Sequence, residues 1–313
     1  MSRYIINRVL QGLLVIWAAF TFTFVVLYLL PSDPVAILLG TDSNFTEEEL
    51  NRMREAYGLN DPWYIQYLSY LVNFLRGDFG SSIQTGTPVL SEILGALPNT
   101  ILLAVASLMV AVVIAGVVAV LAVFVRVGWL KNILLSAPSF ISAIPGFWLA
   151  LMLLQIFSFR FQLLPGVGTE GVSTLILPAL ALGIPVSAEI AQVFTRSLQN
   201  TLDKPYIITA RSRGWSYFST ITRHALRNSL LPTFTVFGLS VAGILSGVVV
   251  IETVFSRAGL GRIAQVATTN QDIPLVQGVV VFSAVIYVVI NLVIDLIYPL
   301  IDPRIRLQEA RTP

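Results

Sequence analysis

Six long runs of apolar residues restrict what this chain of 313 residues can fold into. The most uniform is ILLAVASLMVAVVIAGVVAVLAVFV, from Ile101 to Val125, which contains no charged residue. A helix of that length, at about 1.5 Å per residue, is longer than a hydrocarbon core of about 30 Å. Charged residues make up only 12% of the chain, against roughly 25% in soluble domains. The runs therefore predict an all-α protein embedded in a membrane.

The apolar runs predict six transmembrane helices in one transmembrane domain that spans residues 1–313. Their ranges are 9–30, 100–125, 133–159, 175–194, 231–254 and 276–301. An even number of spans places both termini on one side, and thirteen of the nineteen Lys and Arg residues lie on that side. Because positive charge marks the cytoplasmic face, we predict cytoplasmic termini, an extracytoplasmic segment at 31–99 and a cytoplasmic loop at 196–229.

The first apolar run has a second interpretation, because Arg3 and Arg8 precede it as they would precede a secretory signal peptide. The run is longer than a typical signal-peptide core, and LLPSDP from Leu29 lacks a small-x-small cleavage site. We therefore interpret it as a retained span.

The cytoplasmic loop contains YIITARSRGWSYFSTITRHALRNSLLP, from Tyr206 to Pro232, in which apolar or small residues recur at helical spacing. They are Ile207, Ala210, Gly214, Phe218, Ile221 and Ala225. We predict Asp203 as the N-cap, Pro205 in the first turn and a break at Gly214 that divides the segment into two short helices. The periodicity fits equally well a basic helix on anionic lipid and a helix that contacts another protein.

This loop resembles the coupling loop of ABC-importer permeases, in the form TARxxG…RHxLRNxLLP of the dipeptide/oligopeptide/nickel family. The matching residues are Thr209, Ala210, Arg211, Gly214, Arg223, His224, Leu226, Arg227, Asn228, Leu231 and Pro232. Further family motifs follow in order along the chain: LLPSDP, YGLNDPWYIQY, GDFGSSI, LPNT, IPGFWLA, ETVFSRAGLGR, IPLVQG and DPRIR. The sequence differs from the family pattern at Ser32, which replaces Gly, and at Arg257-Ala258, which replace Trp-Pro.

The resemblance implies the MetI-like permease fold, in a bacterial or archaeal cell membrane, and half of a translocation pathway for peptides. The implied partners are a second homologous permease, two ABC ATPase subunits, an extracytoplasmic binding protein and the lipid bilayer, with no nucleic acid. ATP and Mg would be bound by the ATPase subunits, and this chain would hold no cofactor. The resemblance assigns the contact with the ATPases to Thr209, Ala210, Arg211, Arg213, Gly214, Arg223, His224, Arg227 and Asn228.

An enzymatic role is not expected from the residues present. The two lysines, Lys131 and Lys204, do not lie in a phosphate-binding Gly-x-x-x-x-Gly-Lys motif, and a single histidine cannot form a His-pair zinc site. Two alternatives to a peptide importer remain: a nickel or metal-chelate importer of the same family, and a stand-alone secondary transporter. The latter would usually have inverted repeats and several intramembrane ionisable groups.

Two further sets of residues are candidates for function. The pathway candidates are Glu189, Ser139, Ser142, Ser240 and Ser246. A carboxylate at the membrane centre costs about 2.5–3.5 kcal/mol, so Glu189 lies either in the pathway or at an interface, or it pairs with a neighbouring helix. The candidates for docking the binding protein are Arg257, Gly259, Gly261 and Arg262, together with the acidic outer segment. The run Gly238 to Gly247 suits close helix packing or a polar lining.

Overall fold

The computed structural model describes residues 2–29, 46–56 and 60–301. Within these ranges the chain is helical and has no β-strand, apart from an isolated β-bridge between Ser81 and Pro88. The helices are α1 (Ser2–Leu29), α2 (Glu47–Ala56), α3 (Trp63–Leu75), α4 (Val89–Phe124), α5 (Gly128–Ser142), α6 (Gly146–Leu153), α7 (Ser173–Leu202), α8 (Pro205–Ser212), α9 (Tyr217–Thr220), α10 (Leu226–Val254), α11 (Leu260–Thr269) and α12 (Ile273–Ile301). Short π-helical segments, Leu154–Arg160 and Ile221–Ala225, extend α6 and join α9 to α10. The all-α prediction is confirmed.

Five helical segments in the described ranges are long and apolar enough to cross a membrane. They are Ile5–Leu29, Val89–Phe124, Ser173–Leu202, Tyr217–Val254 and Ile273–Leu296. Each of these helices begins before its predicted apolar run, because polar residues and even an internal proline can belong to the helix. Helix α4, for example, begins at Val89, eleven residues before the predicted span at 100–125. The motifs LLPSDP, beyond its first residue, and DPRIR lie outside the described residues.

The third predicted span, 133–159, is not one continuous helix. Helix α5 and the α6 segment form a pair bent by 103°, which supplies the sixth candidate span if the two count as one. Proline explains the break: Pro145 adopts φ −60 and ψ 129 before α6 and carries no backbone N–H. The residue before proline is also kept from helical geometry, so α5 cannot continue through Ile144. Pro138, by contrast, is accommodated inside α5.

The chain divides into two compact units. The first comprises Met1–Thr100 and Ala258–Leu292, and the second comprises Ile101–Arg257 and Val293–Pro313. The core of the first includes Val89, Ile93, Leu260, Leu275 and Val279. The core of the second includes Leu103, Leu154, Leu177, Ile244 and Ile251. Each unit therefore has a hydrophobic core of its own, and the single transmembrane domain over residues 1–313 stays a prediction.

Glycines allow helices of the second unit to approach closely. A Cβ on Gly183 would lie 2.7 Å from the backbone oxygen of Ser107, which brings α7 against α4. Within the run 238–247, a Cβ on Gly247 would lie 2.6 Å from Leu182 Cδ1, and one on Gly238 would lie 2.8 Å from Ile294 Cγ2. These contacts support the packing interpretation of the run over a polar lining.

Candidate functional site

The coupling loop begins directly after α7, and its first helix is capped differently from the prediction. Asp203 is the C-cap of α7, with φ −83 and ψ −2, and is not the N-cap of α8. Lys204 holds that position in an extended conformation, φ −73 and ψ 144, and Pro205 is the first helical residue. The reason is steric, because proline pushes the preceding residue out of helical geometry and so makes it the cap.

Gly214 ends α8 in a Schellman motif. Its φ of 86° lies in the left-handed region that glycine adopts without a Cβ penalty. The N–H of Trp215 donates to the carbonyl of Ala210 at 3.4 Å, and the N–H of Gly214 donates to that of Arg211 at 3.0 Å. Ser216 then caps α9, with its Oγ accepting from the N–H of Ser219 at 3.2 Å. The predicted division into two short helices agrees with this geometry.

The predicted apolar stripe of the loop is partly buried inside the protein. Ile207 and Ala225 pack with Leu198 of α7 in one small core, and Ile221 is also buried. Phe218 was predicted on the same stripe, but its side chain is 66% exposed. The non-helical residues between α8 and α9 change the helical phase, so a single periodicity does not continue across Gly214.

Aromatic rings hold the basic residues of the loop in place. The rings of Trp215 and His224 meet edge to face at 4.7 Å, and the guanidinium of Arg223 lies 5.7 Å from the centre of the Trp215 ring. The guanidinium of Arg211 lies 5.5 Å from the centre of the Tyr217 ring, within the range of a cation–π contact. The Nε2 atom of His224 is buried and has no hydrogen-bond partner among the described residues.

Two hydrogen bonds fix the loop, one to α4 and one between its two ends. The Tyr217 hydroxyl donates to the carbonyl of Val123 near the end of α4, at 3.2 Å. The Asn228 side-chain amide donates to the Tyr206 hydroxyl at 2.8 Å. A cleft of ≈ 530 Å³ lies beside this pair and is also lined by Arg196 and Lys204. Sequence reasoning did not identify the contact between Tyr206 and Asn228, because 22 residues and a helix break separate them.

The outward side of the loop combines apolar and positively charged residues, and we call it the coupling surface. It consists of Ile208, Thr209, Arg211, Arg213, Trp215, Phe218, Arg223 and Arg227, all of them exposed. Ile208 is 59% exposed, and Ala210 beside it is half-buried. Such a surface suits a partner that offers carboxylates around an apolar groove.

The predicted pathway residues lie on three helices, α5, α7 and α10. Glu189, Ser139, Ser142 and Ser246 are exposed on their helices. Ser240 is buried, and its hydroxyl donates to the carbonyl of Val236 in the same helix at 2.9 Å. Their pathway role stays a prediction.

Arg257, predicted as a docking residue, is buried in the structure with only 1% of its side chain exposed, and its docking role stays a prediction. Its Nη1 donates to the carbonyls of Gly168 at 3.3 Å and Thr174 at 3.2 Å. Burial lowers the pKa of Arg257, and the nearby Glu252 carboxylate opposes that shift. Arg257 therefore joins the 168–174 segment to the end of α10.

The other docking candidates of the loop after α10 are not fully exposed. Gly259 and Gly261 are buried, and Arg262 is half-buried. Local sequence does not reveal the burial of Arg257 or Arg262, since charged residues are usually exposed.

Two family models match the chain over nearly its whole length. The model described as "Binding-protein-dependent transport system inner membrane component" matches residues 111–307, and the N-terminal model of such membrane components matches residues 1–104. The chain belongs to this family. It is accordingly a multi-pass protein of the bacterial inner membrane and a transport subunit, and the family in general works with ATPase and binding-protein partners.

Relatives and a solved structure agree with this assignment. The chain is 35% identical to the oligopeptide transport system permease protein AppB of Bacillus subtilis, with 97% of this chain and 99% of that protein covered. It is 32% identical to the glutathione transport system permease protein GsiC of Escherichia coli, with 98% and 99% covered. The structure of an amino acid ABC transporter with histidines matches at a TM-score of 0.52 and 19% identity, covering 69% of this chain and 94% of that one. The last match supports the fold alone.

Proposed function

We propose that the chain is one of two permease subunits of an ATP-driven importer of peptides. The family supplies the transport role, and the substrates named for similar permeases are oligopeptides, dipeptides and glutathione. Glutathione is itself a short peptide, so these substrates share one chemical class. The importer would comprise a second homologous permease, two ATPase subunits that bind ATP and Mg, and an extracytoplasmic binding protein.

The coupling surface is proposed to contact the ATPase subunits. The observation that carries this proposal is the division of the loop into two sides. The inward residues Ile207, Ile221 and Ala225 are buried within the chain. A helix lying on lipid would need that apolar stripe for the bilayer. The exposed side of the loop presents Ile208 and Phe218 together with several arginines. This combination favours a protein partner with a small apolar groove and acidic groups.

ATP-driven closure of the ATPases would then move the membrane helices through this contact, as a rigid-body coupling between distinct sites. Two connections would transmit force from α8 and α9 to the membrane helices. One is the hydrogen bond from Tyr217 to the end of α4, and the other is the continuity of the loop with α10.

Gly214 provides the test. Gly214→Val places a β-branched residue at φ 86°. Because nothing lies within 4 Å of the added Cβ, backbone strain is the only defect that the substitution introduces. Strain of this kind costs on the order of 1–3 kcal/mol, and we expect about a tenfold loss of co-purifying ATPase and of dipeptide-stimulated ATP hydrolysis in proteoliposomes. Gly214→Asn should retain both, because asparagine tolerates this conformation.

Gly86→Val is the matched control. Gly86 also has a positive φ, 69°, and open space around it, but it lies in the predicted extracytoplasmic segment. It should leave ATPase recovery unchanged. Full ATPase recovery and transport by Gly214→Val would contradict the coupling role, and dipeptide uptake without any ATPase subunit would contradict the importer itself.

A further inference from the structure

A cavity of ≈ 450 Å³ lies within the first unit, among α1, α2, α3, the 78–81 segment and the first turns of α12. Its volume falls within the range of about 300–1,000 Å³ that small-molecule sites occupy. Part of its wall is apolar and is formed by the rings of Phe20, Phe74 and Phe79. The predicted topology places this cavity on the extracytoplasmic side.

Gln277 gives the cavity an unused hydrogen-bond donor. Its side chain is only 6% exposed, and its Nε2 atom has no hydrogen-bond partner within the described part of the chain. A buried amide donor normally has an acceptor. Because Gln277 lines the cavity, the missing acceptor is expected to be an oxygen of whatever the cavity holds.

Two carboxylates give the cavity a negative charge. Asp78 and Glu55 both line it. Asp78 Oδ1 accepts from the N–H of Gly80 at 2.9 Å, which fixes the orientation of the carboxylate and leaves its other oxygen able to accept a further bond. These groups favour a cation that donates hydrogen bonds, and a primary ammonium donates three.

A bound metal ion does not fit the same residues. Calcium takes six to eight oxygen ligands, and magnesium requires octahedral geometry. No group of three or more His, Cys, Asp or Glu side chains with metal-binding geometry occurs in the described ranges. An organic cation, whose apolar part would contact the three phenylalanine rings, fits better.

The walls of the cavity are fixed relative to each other by Asp272. Ser82 and the backbone N–H of Ile83 and Gln84 donate to this carboxylate, which directly precedes α12. These hydrogen bonds therefore hold the segment that contains Asp78 against the helix that contains Gln277. A cavity with walls held in this way is pre-organised for a ligand.

We propose that this cavity binds a ligand in which a primary ammonium group stands a few atoms from an acceptor oxygen, with the ammonium at Asp78 and Glu55 and the oxygen at Gln277. Two sources carry this chemistry: the amino end of a short peptide, and the headgroup of phosphatidylethanolamine. The proposal goes beyond the proposed function, because binding at this cavity requires neither ATP nor import.

The absence of cysteine from the chain makes cavity occupancy measurable. Ser69→Cys introduces a single thiol into the lining of the cavity, and Ser91→Cys introduces one at an exposed position outside it. The full chain would be placed in phosphatidylcholine nanodiscs, and the rate of maleimide labelling measured. We expect dialanine to slow labelling of Ser69→Cys severalfold, N-acetyl-dialanine to leave it unchanged, and neither to affect Ser91→Cys.

A second arm distinguishes the two sources. Replacing part of the phosphatidylcholine, whose quaternary ammonium donates no hydrogen bond, with phosphatidylethanolamine should slow labelling if the lipid is the ligand. In either arm, Gln277→Met and Asp78→Asn, each made in the Ser69→Cys chain, should abolish the protection. If the same substitutions leave the labelling rate of the Ser91→Cys chain unchanged, the fold is intact.

Protection by dialanine alone identifies a soluble amine, and protection by phosphatidylethanolamine alone identifies a lipid headgroup; both support an ammonium site. The proposal is overturned if neither protects, if N-acetyl-dialanine protects as well as dialanine, or if protection survives both substitutions. If the assembled transporter does not import peptides while Ser69→Cys is still protected from labelling, the proposed function is overturned and this site remains supported.

Discussion

The Ser82 hydroxyl donates a hydrogen bond to the carboxylate of Asp272, although 190 positions separate the two residues in the chain. Asp272 is 2% exposed and also accepts from the backbone N–H groups of Ile83 at 3.2 Å, Gln84 at 3.3 Å and Leu275 at 3.3 Å. Bonds to a charged acceptor are stronger than bonds between neutral groups. This one carboxylate therefore fixes both the 81–84 turn and the start of α12.

Removing either partner of this pair should lower the melting temperature of the detergent-solubilised chain. Ser82→Ala deletes one charge-assisted bond and should cost about 1.5–3 kcal/mol. Asp272→Ala leaves three backbone donors without their acceptor and should cost more. The double variant should cost less than the sum of the single changes, because the two residues share one network. Ser91→Ala, at an exposed serine, is the control; strict additivity would show that the pair is not coupled.

Arg257 and Glu252 form the second buried polar arrangement. Glu252 is 0% exposed, and its charge acts on Arg257. Arg257→Ala should destabilise the chain, because it removes the hydrogen bonds to the carbonyls of Gly168 and Thr174 and the favourable charge interaction with Glu252; a hydrogen bond that involves a charged group contributes about 1.5–3 kcal/mol. The double variant Arg257→Met with Glu252→Leu should recover the part of the melting temperature that depends on the charge interaction, since well-packed apolar residues can replace buried charges at little cost. A double variant as unstable as Arg257→Ala would show that Arg257 acts mainly through Gly168 and Thr174.

Close helix packing predicts opposite effects for two glycine-to-alanine changes. A Cβ on Gly183 would press against the backbone oxygen of Ser107 at 2.7 Å, which a side-chain movement cannot relieve. Gly183→Ala should therefore destabilise by about 1–3 kcal/mol. Gly243 has nothing within 4 Å of an added Cβ, so Gly243→Ala should leave the melting temperature unchanged or raise it, because alanine favours helix. Equal effects of the two substitutions would argue against a close contact between α4 and α7.

The sequence predicted those features that depend on composition or on neighbouring residues. Apolar runs mark the spans because a membrane helix must be apolar along its whole length. The break at Gly214 was predictable because a left-handed helix end favours glycine. The N-cap was not predicted correctly, since the preference for Asp203 as a cap competes with the stronger steric effect of Pro205 on Lys204.

Long-range relationships were not predictable in the same way. Nothing near Asp272 in the chain indicates that it accepts from the 82–84 turn, because that pairing arises only when α12 packs beside the segment. Arg257 was predicted as a docking residue from its place in the 256–262 loop, and its burial depends on contacts with the 168–174 segment, which is distant in the sequence. The cavity beside Gln277 requires five separate parts of the chain and has no motif of its own.

Charge reversal on the coupling surface should weaken the proposed contact with the ATPase subunits. Arg213 is exposed and adjoins the Schellman motif, so its substitution does not disturb a buried contact. Arg213→Glu should weaken ATPase binding by about 1 kcal/mol, or roughly fivefold, and Arg213→Gln by less. The difference between the two should shrink as ionic strength rises, because salt screens exposed charges. Binding to reconstituted permease, measured across a salt series, tests this expectation.

Arg76→Glu is the control, an exposed charge reversal in the predicted extracytoplasmic segment, and it should leave ATPase binding unchanged. If Arg213→Glu binds as tightly as the wild type at low salt, the ATPase contact does not depend on the charge of this residue, and the apolar side chains Ile208 and Phe218 become its principal anchors.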